Sequence, residues 1–251
     1  MAWPERRELD VDGERICWRV AGAGEPLVFV HGLSASWRWW RGVLLHLESR
    51  EAHVVDLPRR LAPADAAEWL GGWMDAARLG GADVVGHSLG GLVAAELAAR
   101  PGAVRRLVLV APAGVPTGRG VSGHVLPLLA TLRAAPLPLL AHAMRDGLRA
   151  GPASLLRGGL YAIRRDIRDD LAAVRVPTLL VWGEQDPLVP PHLAEEWTRA
   201  LPDVRLVVLP QAGHAPMFDA PAELAEHIRA FLLAPPGPVE LSGSEPLSRK
   251  L

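Results

Sequence analysis

Three features of this 251-residue sequence predict an α/β fold, a mostly parallel sheet with helices on both faces. Short apolar runs recur along the chain, helix-like stretches separate most of them, and Gly-containing turns follow several of the runs. The first two runs, residues 7–11 and 15–21, alternate apolar and polar positions and meet at Asp12-Gly13, which predicts a β-hairpin. The third, Leu27-Val28-Phe29-Val30, is apolar at every position, as a strand covered on both faces must be. Similar runs at 52–55, 82–85, 107–110, 178–182 and 206–209 complete a predicted set of eight strands. Helices are expected at 64–79, 89–100, 191–201 and 221–233.

Between the sixth and seventh strands the alternation stops. Residues 114–171 contain no strand pattern and are rich in Leu, Ala, Pro and Arg. They read as a helical insertion, a cap over the edge where the strands end. The expected organisation is therefore a core of 1–113 and 172–234, a cap of 114–171, and a flexible tail of 235–251 that begins Pro-Pro-Gly-Pro.

Composition narrows the function classes. The 27 basic and 28 acidic side chains leave a net charge of −1, with no whole-chain footprint for nucleic acid or an anionic membrane. A hydrophobic content of 49% excludes a disordered chain. The lone Cys17 excludes an internal disulfide framework and a multi-cysteine metal site, and its strand pattern predicts a buried small hydrophobe. Lys250 is the only lysine and asparagine is absent, a bias expected of a GC-rich bacterial genome. The N-terminus has no apolar signal region and no run reaches the length of a membrane span, so a cytoplasmic protein is expected.

The most informative segment is Gly86-His87-Ser88-Leu89-Gly90, directly after a predicted strand and directly before a predicted helix. This G-x-S-x-G pattern makes a sharp turn whose glycines avoid backbone clashes and whose serine is raised above the sheet, at the positive end of the helix. A nucleophilic serine needs a base, and the base needs an orienting acid. Asp186 follows the seventh strand within Trp182-Gly183-Glu184-Gln185-Asp186-Pro187, with Glu184 as a competing acid. The alternative position after the sixth strand reads Ala111-Pro112-Ala113 and offers none. His214 follows the last strand in Gly213-His214-Ala215-Pro216. Acyl transfer also needs two backbone N–H groups aimed at the developing oxyanion. Leu89, after the serine, supplies one, and Leu33, in Val30-His31-Gly32-Leu33-Ser34, is the candidate for the other.

On these motifs the chain resembles the α/β-hydrolase-fold enzymes of the esterase and lipase-like group, from about residue 7 to residue 234. The resemblance implies Ser88 as nucleophile, His214 as base, Asp186 as acid, and Leu33 and Leu89 as oxyanion donors. It implies hydrolysis of a small to medium ester or related carbonyl substrate, with no cofactor or metal. Related enzymes use the same triad for C–C bond hydrolysis, perhydrolysis or lyase and cyclase steps, and a non-enzymatic ligand receptor is a third class. One departure stands out: Asp56-Leu57-Pro58 runs directly into Arg59-Arg60-Leu61, where the family commonly has a Gly-rich loop and a serine. This shortening is expected to widen the entrance beside the oxyanion turn.

The nine histidines show no metal-binding helix pair. His31 and His87 read as supports of their own turns. Trp37, His124 and His142 are the candidate substrate contacts, the first after the oxyanion turn and the other two in the insertion. Dense apolar stretches at 125–129 and 135–140 point to an apolar substrate if the insertion lines the pocket.

Overall fold

The computed structural model describes residues 4–11, 13–33, 35–58 and 61–234. Asp12, Ser34, Arg59, Arg60 and the predicted tail 235–251 lie outside the described residues. The eight strands are β1 (Glu5–Val11), β2 (Glu14–Ala21), β3 (Glu25–Val30), β4 (Arg50–Val55), β5 (Asp83–His87), β6 (Leu107–Val110), β7 (Thr178–Gly183) and β8 (Val204–Leu209). They form one sheet in the order β1-β2-β4-β3-β5-β6-β7-β8. The β1–β2 and β2–β4 pairings are antiparallel and all later ones are parallel.

The fully apolar run of β3 divides its side chains between the two faces, as the two-residue period of a strand requires. Val28 and Val30 enter one core with α2 (Ala66–Ala76), α3 (Leu89–Ala98) and α8 (Ala194–Ala200). Leu27 and Phe29 enter the other with α1 (Arg41–Leu44) and α10 (Pro221–Leu233). Cys17 departs from expectation and is only half-buried. On β2 the buried positions are Ile16, Trp18 and Val20, so Cys17 points to the opposite, partly open face beside Arg6. At the amino end of the parallel strands, fully buried Asp83 receives Arg105 through two hydrogen bonds of 2.9 Å and Arg50 through one of 2.5 Å.

Between β6 and β7 the chain forms α4 (Val125–Ala134), α5 (Leu137–Ala150), α6 (Pro152–Arg164) and α7 (Arg168–Leu171). Polar ties, among them the following, hold these helices in place. The hydroxyl of Tyr161 and the guanidinium of Arg165 both donate to Glu96 on α3, at 2.8 and 2.9 Å. Ser36 donates to buried Asp146 on α5 at 2.7 Å, and Ile167 N–H donates to the Gly114 carbonyl.

Candidate active site

The carboxyl ends of β3, β5, β7 and β8 bring four loops to one edge of the sheet. Ser88 follows β5 and opens α3 with φ 51° and ψ −119°, a left-handed conformation rare for a residue with a side chain. Close approach of the surrounding backbone enforces it. A Cβ at Gly86 would lie 2.5 Å from the Gly90 carbonyl oxygen, and one at Gly90 would lie 2.4 Å from that of His31. The Ser88 N–H donates to Val110, while its carbonyl accepts from Leu92 and Ala113, so the turn is fixed on both sides.

His214 Nε2 lies 3.1 Å from Ser88 Oγ, and its Nδ1 lies 2.7 Å from Asp186 Oδ2. Asp186 and His214 are both buried. The second oxygen of Asp186 accepts the N–H groups of Leu188 and Val189, each at 2.9 Å, which fixes the carboxylate plane. Exposed Glu184 has no part in this relay. An imidazole with a carboxylate on one nitrogen and a hydroxyl on the other is the arrangement that makes an alcohol nucleophilic.

The other two turns lock this geometry. Buried His87 donates from Nε2 to the His214 carbonyl at 2.8 Å, which ties the loop of the base to the serine turn. Burial, and then the neighbouring His214, push the His87 pKa down to about 3, so the ring stays neutral and the donor tautomer persists. His31 Nδ1 faces the Gly32 carbonyl at 2.8 Å, and its Nε2 faces the Leu57 N–H at 3.4 Å. Gly32 is pressed against the serine: a Cβ there would lie 3.2 Å from that of Ser88. In α3 the hydrogen-bond ladder starts with Leu92 donating to Ser88, so the Leu89 N–H at the positive helix end has no helical partner. A fourth tie was not visible in the sequence: Gly213 N–H donates to Asp219 on α9 (Pro216–Asp219) at 2.9 Å. Asp219 has its pKa raised, chiefly by desolvation.

Ser88 and His214 open onto a cavity of about 290 Å³ whose walls include Trp39, Leu128, Leu132, Leu139 and Ile163. His124 is in its wall, hydrogen-bonded to Thr117 Oγ1 and facing the Gly120 carbonyl. Two expected contacts are not. Trp37 begins a 3-10 turn that buries its ring in the core shared with α1 and α10, beneath Arg19 and Arg38, and the same turn presents Trp39 to the cavity instead. His142 sits on the side of α5 that meets Phe218, with ring centroids 6.1 Å apart. A second cavity of about 190 Å³ lies across Leu33 and Leu89, lined also by Asp56, Leu57 and Pro58. Part of the shortened loop expected to widen this entrance, Arg59-Arg60, is outside the described residues.

The alpha/beta hydrolase family profile matches residues 27–227, which span every loop described above. The chain belongs to the alpha/beta hydrolase family. It is 33% identical to a pimeloyl-[acyl-carrier protein] methyl ester esterase from Nitrosomonas europaea, over 81% of this chain and 94% of that one. The corresponding Aeromonas hydrophila esterase is 31% identical over 84% of this chain and 96% of its own. The fold matches that of a bromoperoxidase from Bacillus anthracis with a TM-score of 0.79, over 92% of this chain and all of the other at 18% identity. This alpha/beta hydrolase is thus an enzyme with relatives named as esterases, and the ligand-receptor alternative falls. Among the described residues no helix is long and apolar enough to cross a membrane.

Proposed function

We propose that this alpha/beta hydrolase is a serine ester hydrolase acting on acyl esters with a small leaving alcohol. The observation that carries the reading is the Ser88–His214–Asp186 relay at the mouth of an apolar cavity. His214 Nε2 takes the proton of Ser88 Oγ as that oxygen attacks the ester carbonyl. Asp186 holds the imidazole in the tautomer that can accept it and stabilises the cation that forms. The tetrahedral oxyanion lies against the N–H groups of Leu33 and Leu89, and losing one such donor costs on the order of 100- to 1,000-fold in kcat. His214 returns the proton to the leaving alkoxide, and the alcohol departs. Water, deprotonated by His214, then attacks the acyl-serine and releases the acid.

The walls of the cavity support a substrate class. The helices between β6 and β7 act as a cap, placing Leu128, Leu132, Leu139 and Ile163 around the acyl part. Relatives named for cleaving a methyl ester support a small alcohol and a longer acyl group. Each buried methylene contributes about 0.8 kcal/mol, so kcat/KM should rise about fourfold per methylene until the cavity is full. A p-nitrophenyl ester series from acetate upward tests this, with Ser88→Ala as the control. The expected result is a rise and then a plateau or fall with chain length, and no turnover above background in the variant. Normal turnover by Ser88→Ala would refute the reading.

A further inference from the structure

The net charge of −1 conceals a strong asymmetry. Residues 114–165 hold seven of the 27 basic side chains and one of the 28 acidic ones, and that one, Asp146, is buried against Ser36. The remainder of the chain is correspondingly acidic. The same segment concentrates the exposed apolar surface. Of twelve exposed large hydrophobic side chains among the described residues, ten lie within residues 121–156. The most exposed are Leu137 at 81%, Leu148 at 80% and Leu126 at 77%. On α5 the pattern is sided. At 3.6 residues per turn, Leu137, Met144 and Leu148 fall within about 40° of one line, while buried Leu139 and Asp146 lie opposite. Exposed Arg145 and Arg149 lie to one side of the apolar line, about 80° and 120° around the helix from Leu137. On α4, which buries no residue, Leu126 and Leu129 point outward beside exposed Arg133.

Exposed aliphatic side chains interleaved with arginines, without an exposed carboxylate among them, are the composition of a surface that enters the headgroup layer of an anionic bilayer. A second copy of the chain is a poor occupant, since pairing this face with itself would bring together two sets of six excess positive charges. A protein partner is less well matched, because protein interfaces favour aromatic anchors and every exposed large hydrophobic side chain here is Leu, Val or Met. The position also suits lipid. Leu128 and Leu132 on α4 are partly exposed and line the Ser88 cavity, so one helix borders both the outer face and the acyl site.

We propose that the outer face of α4 and α5 docks on an anionic lipid surface, with Leu126, Leu137, Met144 and Leu148 in the headgroup region and Arg133 and Arg145 against lipid phosphates. Docking of this kind requires no spanning helix, and it does not depend on the identity of the reaction at Ser88.

The test is co-sedimentation of the full chain with vesicles of phosphatidylcholine alone and with about one third phosphatidylglycerol. The wild-type chain should pellet with the anionic vesicles, at least about tenfold better than with neutral ones, and high salt should release it. Arg133→Glu with Arg145→Glu should abolish the preference, and Leu137→Ser with Leu148→Ser should weaken binding about tenfold or more. Both variants should melt with wild-type cooperativity and turn over a short water-soluble ester normally, which separates lost docking from lost folding. Equal binding to neutral vesicles, no binding to anionic ones, or variants that bind as wild type would each overturn the proposal. So would a stable dimer in solution that Leu148→Ser dissociates, because the face would then belong to a second copy.

Discussion

His87 gives the sharpest test of how the site is held together. Replacing it with leucine removes the N–H that the His214 carbonyl accepts at 2.8 Å and leaves that carbonyl buried without a partner. Such a loss costs about 1–3 kcal/mol of stability near neutral pH. It also releases the loop of the base from the serine turn, and a misplacement of about 1 Å costs on the order of 100-fold in kcat. The pH dependence distinguishes this from lost packing. The folded-state pKa of His87 is pushed down to about 3, whereas the unfolded chain has the ordinary value of about 6.5. Below the unfolded value the unfolded state binds a proton that the folded state refuses, so stability falls as pH drops from about 6.5 toward 3. Between pH 7.5 and pH 5 the wild type should lose about 2 kcal/mol through this group alone, and the leucine variant should not. Urea unfolding at pH 7.5, 6 and 5, with kcat measured alongside, checks both parts. The stability gap should close or reverse toward pH 5. A gap independent of pH, or an unchanged kcat, would refute the reasoning.

Other outcomes follow from the same geometry. Asp186→Asn, with the fold retained, should lower kcat by about 10,000-fold, because the amide holds His214 in the wrong tautomer. Gly90→Ala should cost about 3 kcal/mol, measured by thermal melting, since its Cβ would meet the backbone oxygens of both His31 and Val30. Leu132→Trp should move the preferred p-nitrophenyl ester to a shorter acyl chain while leaving acetate hydrolysis near wild type, because Leu132 lines the Ser88 cavity. Glu96→Ala removes the acceptor shared by Tyr161 and Arg165 and should speed proteolysis within residues 114–165 without blocking the Ser88 cavity.

The sheet and the serine turn were legible because their signals are local. An all-apolar run implies a strand buried on both faces, and G-x-S-x-G between a strand and a helix constrains backbone approach over a handful of residues. The three residues of the proposed relay were legible by chain order, since each follows a strand of one parallel sheet. What the sequence did not reveal depends on rotation and on distant pairing. Trp37 and Trp39 are two residues apart, and only the pitch of the 3-10 turn decides which ring faces the cavity. His142 and Leu139 share α5, yet Leu139 meets the cavity and His142 meets Phe218. The ties from Ser36 to Asp146 and from Glu96 to Tyr161 span 110 and 65 residues and leave no periodic trace. Net charge was equally blind, because a basic segment and an acidic remainder cancel in the sum.

The central claim is that Ser88, activated by His214, attacks a carbonyl or an equivalent electrophile. Labelling with a fluorophosphonate probe, followed by peptide mapping, tests it most directly. One adduct on the peptide containing Ser88 is predicted in the wild type, with labelling much slowed in His214→Ala and absent in Ser88→Ala. An adduct on another residue, or a folded wild-type chain that takes up no probe, would contradict it.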